Sequence, residues 1–233
     1  MKITNIYFWI FLFCCCCNIQ AQNKIAIKQD SIRTNISDVR DLGFINNQFY
    51  LHSVNSTSIY DKNGKFLEKV NHDINKGNYF DNELKYSISG DGRIYDMSKE
   101  LIDISGKLEK ENKEAKFLSK SENNFFSCFV DPISLSYSNG IFKINTNDYS
   151  LFTYLVGIPA GLYVERNNIW YLYHKSTPDS TGMLRKFDIK TGELLLEIEI
   201  PVKEPIGLYV QSGMCYVYSN YSQELVSLNI GGN

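Results

Sequence analysis

The sequence has almost no excess of charge, with 24 Lys and Arg against 26 Asp and Glu in 233 residues. A formal net charge of −2 offers no basic surface for nucleic acid and no polybasic patch for lipid headgroups. The sequence also lacks an apolar run of the roughly 20 residues that span a bilayer, because its longest run covers residues 6–17. Neither nucleic acid nor a membrane span is therefore expected.

Histidine is scarce, and the familiar catalytic motifs are missing. Only three His occur, and none has the short spacing of a zinc-ligand pair, so no metal site is expected. The chain contains no Gly-x-Ser-x-Gly elbow and no Gly-x-x-x-x-Gly-Lys phosphate loop. These absences give no support to α/β-hydrolase or P-loop chemistry, and no cofactor is expected.

The first 21 residues have the pattern of a secretory signal peptide. Lys2 is the only charge before Lys24, and the apolar run at 6–17 leads to the small residue Ala21. Cleavage after Ala21 would leave residues 22–233 as the mature domain. This pattern predicts an exported protein that is periplasmic, secreted or at the cell surface.

The rest of the chain carries an internal repeat. Residues 159–164 read Pro-Ala-Gly-Leu-Tyr-Val, and residues 205–210, 46 positions later, read Pro-Ile-Gly-Leu-Tyr-Val. Each copy leads through a turn to an aromatic second strand, and similar turn–strand units begin near residues 46, 81 and 123. A third strand follows in every copy, with spacings of 35 to 49 residues between its anchors Tyr60, Tyr95, Ile144, Phe187 and Leu228.

Four short antiparallel strands repeated about every 40 residues are typical of a β-propeller blade. The 212 residues after Ala21 divide into five such units, so we predict an all-β chain with one small propeller of five four-stranded blades. The fifth unit ends after its third strand, and residues 24–27 supply a spare strand that would close the ring. Because the second unit is degraded and the spacings vary, four-bladed and irregular six-bladed rings remain open.

These motifs carry a resemblance to known proteins. The Pro-x-Gly-Leu-Tyr-Val pattern, the aromatic strand and the segment Ile-Tyr-Asp-Lys-Asn-Gly-Lys-Phe-Leu at 59–67 resemble exported NHL-type and six-bladed propeller proteins. The resemblance covers most of the mature chain at the level of motifs, although this chain is short for six blades. It implies a binding scaffold of varied use, sometimes an enzyme, and supplies no catalytic residues to transfer.

The order of strands predicts where a site would lie. We call the first rim the edge formed by the loops that enter each blade and those between second and third strands. The second rim is formed by the other two hairpins of each blade, which are tight and similar. Variable loops on a rigid scaffold commonly carry function, so the first rim is the expected site, with these ligand-binding candidates: His52, Asn55, Asp91, Arg93, Asp131, His174, Lys175, Asp179 and Tyr221.

Two functions are consistent with this rim. The favoured one is a non-enzymatic exported module that binds a protein, peptide or glycan partner in the cell envelope. The alternative is a hydrolase or lyase, for which His174 and Asp179 are the weak acid–base candidates because they share one polar loop. The absence of a recognisable catalytic set favours the binding role.

Cysteine usage leaves two further questions. Four of the six Cys lie at 14–17 in the leader, where Leu12 three residues before Cys15 leaves a lipid anchor open. The other two, Cys128 and Cys215, fall in second strands of non-adjacent blades. Buried thiols are favoured over a disulfide there, because a disulfide needs Cα atoms within about 7 Å.

Overall fold

The computed structural model shows a ring of five antiparallel sheets. It describes residues 24–71, 79–81, 83–96, 99–122, 124–133, 139–145, 148–175, 177 and 180–231. The predicted signal peptide, its cleavage site and Asp179 lie outside these residues. Among the described residues, no helix is long and apolar enough to cross a membrane.

Strand order defines the blades. The chain begins with β1 (Lys24–Ile25) and β2 (Ile27–Arg33). Blade 1 contains β3 (Asp41–Ile45), β4 (Gln48–His52), β5 (Ser56–Asp61) and β6 (Phe66–Asn71). Blade 2 contains β7 (Tyr79–Phe80), β8 (Tyr86–Ile88), β9 (Arg93–Asp96) and β10 (Lys99–Asp103), and the helix α1 (Ser105–Lys110) follows it.

The remaining blades are more regular. Blade 3 contains β11 (Glu114–Ser121), β12 (Asn124–Val130), β13 (Gly140–Asn145) and β14 (Asp148–Tyr154). Blade 4 contains β15 (Ile158–Glu165), β16 (Asn168–His174), β17 (Thr181–Asp188) and β18 (Leu194–Lys203). Blade 5 contains β19 (Pro205–Gln211), β20 (Met214–Ser219) and β21 (Glu224–Asn229), with β2 as its outer strand.

The predicted five-bladed propeller is confirmed, and all five third-strand anchors lie in third strands. The N-terminal strand closes the ring as predicted, but the prediction that residues 24–27 would do so is wrong. The strand that pairs with β21 is Ile27–Arg33. Lys24 and Ile25 instead pair in parallel with Ile198 and Glu199 on the outer edge of blade 4. One N-terminal segment therefore covers two sheet edges.

Tight hairpins shape the second rim. Asn46 and Asn47 both have positive φ, at 52° and 62°, which suits asparagine in a two-residue turn. Ser212 and Gly213 form the corresponding turn of blade 5, with φ of 51° and 79°. In blade 4 the turn lies between β15 and β16 at residues 166–167, one position earlier than the sequence pattern indicated.

The glycine of the repeat motif has a packing role between neighbouring inner strands. A Cβ on Gly161 would lie 2.7 Å from Cβ of Leu208 in the next blade. A Cβ on Gly207 would lie 2.5 Å from Cβ of Leu42, and Gly207 also has φ of 67°. Only glycine permits both the approach and this conformation. The inner strands follow the ring in the order β3, β7, β11, β15, β19 and back to β3.

Buried apolar clusters fill four of the five seams between blades. The seam between blades 4 and 5 contains Cys215, and the seam between blades 3 and 4 contains Cys128. Both thiols are free and buried, as favoured from the sequence. A third cluster joins blades 2 and 3 and includes Leu108 of α1. The fourth joins blades 5 and 1. Among the described residues, no such apolar cluster crosses the seam between blades 1 and 2.

Candidate functional site

Buried polar side chains occupy the seam between blades 1 and 2. Asp41 is 6% exposed and lies at the first-rim end of the inner strand β3. Its Oδ1 accepts the N–H of Leu42 at 2.9 Å, and its Oδ2 accepts the N–H of Phe80 in blade 2 at 3.3 Å. Burial raises the pKa of Asp41 to about 7, and the nearby charge of Asp81 adds to the rise. This carboxyl therefore titrates near neutral pH.

His52 belongs to the same seam. It is the cross-strand partner of Asp41, and its Nδ1 lies 2.7 Å from Oγ1 of Thr57. Its ring stacks on Phe80, with the two centroids 4.4 Å apart. A Cβ on Gly43 would lie 3.7 Å from His52 Nε2, so the Nε2 edge of the imidazole ring faces the backbone of β3. The candidate His52 is thus held between two blades, with only 2% of its surface exposed.

Asp81 anchors the hairpin of the short second blade. Its Oδ1 accepts the N–H groups of Lys85 and Tyr86, both at 2.7 Å. The side chain is 3% exposed, and burial raises its pKa. Phe80 therefore lies between two buried acids, Asp41 and Asp81, and beside His52.

Charges converge on Tyr79 where the inner strands begin at the first rim. Burial raises the pKa of Tyr79 to about 12. The charge of Arg40 opposes this rise, while the charges of Asp41 and Glu114 add to it. These four groups come from the starts of β3, β7 and β11, next to one another in the ring. They form what we call the mouth cluster (Arg40, Asp41, Tyr79 and Glu114).

Two of the predicted ligand-binding residues lie together on one side of this cluster. Asp91 and Arg93 line an open cavity of about 500 Å³ between blades 2 and 3, which Glu109 of α1 and Glu114 also line. Arg93 Nη1 lies 3.3 Å from Asp91, and its Nε lies 3.6 Å from Asp103. The charge of Asp91, followed by that of Asp103, raises the pKa of Arg93. The guanidinium is therefore oriented by two carboxylates at the edge of the cavity.

Asn55 lies on the other side of the cluster. It lines a cavity of about 440 Å³ on the first rim where blades 5 and 1 meet. The lining is mostly polar and includes Asp38, Ser58 and Lys69. The structure thus brings His52, Asn55, Asp91 and Arg93 onto one arc of the first rim, over blades 1 to 3.

Three other predicted residues lie in blades 3 to 5. Asp131 accepts the N–H of Ile133 at 2.8 Å and the amide of Asn112 at 3.3 Å. Tyr221 is 63% exposed, and the ammonium of Lys203 lies 4.9 Å from its ring centre. Lys175 is exposed and directly follows β16, the second strand of blade 4. Lys175 and Tyr221 belong to blades 4 and 5, outside the arc, whereas Asp131 follows β12 of blade 3 at the edge of the arc.

The weak catalytic candidate His174 is buried at the end of β16, with 6% of its surface exposed. Burial lowers its pKa, and a hydrogen bond with the Ser180 backbone opposes that effect. No described residue hydrogen-bonds to its Nδ1. His174 and His52 lie in different blades, and no group of three or more His, Cys, Asp or Glu among the described residues is placed to hold a metal ion.

Sequence reasoning missed Asp41, Asp81 and the mouth cluster. A signal was present for Asp41. Counted back from its hairpin, it occupies the position that Gly161 and Gly207 hold in blades 4 and 5. A charged residue in a position of close strand approach indicates a seam that differs from the others. Asp81 had no comparable signal, because blade 2 is too degraded to align.

Comparisons with known proteins agree on the fold. No protein-family model matches the chain, and no curated protein matches it in sequence. Among solved structures, it is similar to a calcium-binding protein, regucalcin, from Agrobacterium tumefaciens strain C58. That match has a TM-score of 0.55 at 8% identity and covers 89% of this chain and 95% of that one. At this identity the likeness shows the fold alone.

Two further structures give lower scores. BamB from Moraxella catarrhalis matches with a TM-score of 0.41 at 11% identity, over 86% of this chain and 60% of that one. The β-propeller domain of Swd1 from Myceliophteria thermophila matches with a TM-score of 0.43 at 9% identity, over 83% and 67%. The resemblance to propeller proteins is confirmed, while the closer likeness to exported NHL-type proteins stays a prediction.

Proposed function

We propose that the protein is an exported, non-enzymatic binding module that holds a protein, peptide or glycan partner of the cell envelope on its first rim. The observation that supports this most is the pair of open polar cavities, about 500 and 440 Å³ in volume. They flank the mouth cluster on one arc of the rim. The binding surface on this account covers blades 1 to 3.

The chemistry of the arc suits a polar partner. Asn55, Asp38 and Lys69 line one cavity, and Arg93 and Glu109 line the other. Both signs of charge and several amide and hydroxyl groups are therefore available to a partner's hydrogen bonds. Interfaces of this kind gain specificity from paired polar groups more than from apolar area.

One observation favours the alternative, a hydrolase or lyase on the same rim. Asp41 titrates near neutral pH, which is where a general acid or base is most effective. The low solvent exposure of the candidate groups argues against an enzyme, because Asp41 and His174 are each 6% exposed and His52 is 2% exposed. The binding role needs only groups that are already at the surface.

Substitutions that change the charge of the arc test the proposal. Asn55→Lys and Glu109→Lys alter exposed residues in the two cavities, and Lys190→Glu alters an exposed residue in the β17–β18 hairpin on the second rim. Immobilised variants are exposed to proteins, peptides and glycans released from the host envelope, and the retained mass is recorded. We expect both first-rim variants to retain about tenfold less, as for disrupted interface polar contacts, and Lys190→Glu to behave as the unaltered protein.

Equal retention by all four proteins would reject the first rim as the binding surface. The enzyme alternative is tested separately with Asp41→Asn and His174→Ala. If turnover of an envelope glycan or peptide is found and falls by about a hundredfold or more in either variant, as for loss of a general acid or base, the alternative replaces the binding role.

A further inference from the structure

An aromatic groove lies on the opposite side of the ring from the proposed binding arc. It has a volume of about 360 Å³ and opens on the second rim where blades 5 and 1 meet. Phe44 and Phe49 of blade 1 and Tyr216 of blade 5 form its floor. We infer that this groove binds a proline-rich peptide segment in the polyproline II conformation, independently of the function of the first rim.

The floor is a connected set of rings. The centroids of Phe44 and Phe49 are 4.5 Å apart, and those of Phe49 and Tyr216 are 5.3 Å apart. Phe44 and Tyr216 are parallel to within 1° at 6.2 Å. Tyr209 packs beneath them, 5.0 Å from Phe44, and is 8% exposed. Buried neighbours thus fix two partly exposed rings, Phe44 and Tyr216, in place before any ligand arrives.

The shape of the groove suits an extended chain. Its lining includes Gln211 at the end of inner strand β19, Tyr216 on β20, Leu225 on β21 and Asp30 on the outer strand β2. It therefore crosses all four strands of blade 5, or three strand spacings, which is about 14 Å. A polyproline II segment rises about 3.1 Å per residue, so about four or five residues would span it.

Most of the polar side chains around the rings can donate a hydrogen bond. Among the described residues, the ends of Lys62, Gln211 and Tyr216 form no hydrogen bond or ion pair with other side chains or with the backbone. The amide of Asn47 lies at the same edge. A polyproline II segment has no internal hydrogen bonds and its prolines have no N–H, so each proline presents a carbonyl acceptor and no backbone donor. Donors beside aromatic rings match that surface.

Charge is confined to the outer end of the groove. Lys62 lies in the hairpin between the third and fourth strands of blade 1, and Asp30 lies on the outer strand of blade 5. Asp30 uses Oδ1 to accept the N–H of Ser31 at 2.7 Å, which leaves Oδ2 for a ligand. The inner end contains the rings and Gln211. We therefore expect prolines at the inner end of the peptide and a charged residue at its outer end.

Peptide selection tests this site. One library of twelve-residue peptides fixes proline at every third position, which places the prolines on one face of a helix with three residues per turn. A matched library has glycine at those positions. Both are panned on the immobilised full chain and on three variants: Tyr216→Ala, Gln211→Ala and Tyr154→Ala. Tyr154 is the control, because it is 63% exposed and lies on β14, outside the groove.

The proline library should be enriched over the glycine library on the unaltered chain and equally on Tyr154→Ala. For one selected peptide, we expect affinity to fall about thirtyfold in Tyr216→Ala, as for an aromatic hot-spot residue. We expect about a fivefold loss in Gln211→Ala, the size of one net hydrogen bond. Thermal melting checks that Tyr216→Ala folds. If Tyr216→Ala does not fold, Gln211→Ala still tests the groove, because the Gln211 side chain is exposed.

Three results would overturn the inference. They are equal enrichment of both libraries, peptide affinity unchanged in both groove variants, and binding of a soluble hexasaccharide at the groove without any proline-library enrichment. The last result would make the groove a glycan site. None of them would affect the proposal for the first rim, whose variants lie on the opposite rim.

Discussion

Asp41 and His52 are cross-strand partners in blade 1, and both contact Phe80 of blade 2. Asp41 accepts the backbone N–H of Phe80, and the ring of His52 stacks on its side chain. These contacts take the place of the apolar clusters that join the other blades. The seam between blades 1 and 2 is therefore expected to respond to pH more than the rest of the ring.

The substitution Asp41→Asn tests this directly. Because burial raises the pKa of Asp41 from 3.8 to about 7, the folded protein binds a proton there that the unfolded chain releases. The protonated Asp41 side chain contributes on the order of 4 kcal/mol to the free energy of unfolding below about pH 4. This contribution is lost as the pH rises to about 7. Denaturant unfolding should therefore find Asp41→Asn more stable than the unaltered protein at pH 8 and similar to it at pH 4.

Other charged and polar groups face the same seam, so a control is needed. Arg40, His52, Tyr79 and Asp81 remain in the variant, and Glu68→Gln, on the exposed outer strand β6, serves for comparison. Stability curves for Asp41→Asn and the unaltered chain that stay parallel from pH 4 to pH 8 would contradict the assignment.

Gly207→Ala tests the packing of inner strands at the ring closure. The added Cβ would meet Leu42 at 2.5 Å, and φ of 67° is unfavourable for alanine. We expect a loss of about 2–4 kcal/mol in the free energy of unfolding. Gly106→Ala in α1 is the matched control, because a Cβ there meets nothing within 4 Å, and it should be neutral or stabilising by about 0.5–1 kcal/mol. Equal effects of the two substitutions would be inconsistent with this packing.

The repeat was predictable because its physics is local. Turns that tolerate positive φ, such as Asn46-Asn47, and alternating aromatic strands recur in the chain, so blade number and ring closure follow from them. The closing strand was misplaced because residues 24–27 include three consecutive apolar residues, whereas the strand Ile27–Arg33 has only Ile27 and Ile32 and shows no alternating pattern. Their choice of partner depends on which neighbouring edge is free, which is a property of the assembled ring.

The candidate site was less predictable. Asn55, Asp91 and Arg93 were found because polar loop residues at strand ends indicate a rim. The mouth cluster was missed because Arg40, Tyr79 and Glu114 are far apart in sequence and meet only when the inner strands converge. The burial of His174 also depends on the neighbouring backbone and not on residue type.

The two cysteines of the propeller should be unreactive in the folded protein. Cys128 and Cys215 are fully buried, and burial raises the pKa of each thiol. Alkylation with iodoacetamide at pH 8, mapped by peptide mass spectrometry, should modify neither in the native state and both in urea. Rapid native labelling, or a disulfide-linked pair of peptides, would disagree with the structure.

Export can be tested at the N-terminus. The leader pattern predicts cleavage after Ala21, so protein isolated from the host envelope should begin at Gln22. Intact-mass analysis checks this. A chain that begins at Met1 would refute the signal peptide, and a lipid-modified cysteine at 14–17 would replace it with a lipid anchor.

Site-specific photo-cross-linking in the native host tests whether the first rim binds the partner. A photoreactive amino acid is placed at Asn55 or Glu109 on the first rim, and at Lys190 on the second rim as control. Binding through the first rim predicts that one discrete partner adduct forms from both first-rim positions and not from Lys190. Adducts from Lys190 alone, or no adduct from either first-rim position while the protein resides in the envelope, would contradict it.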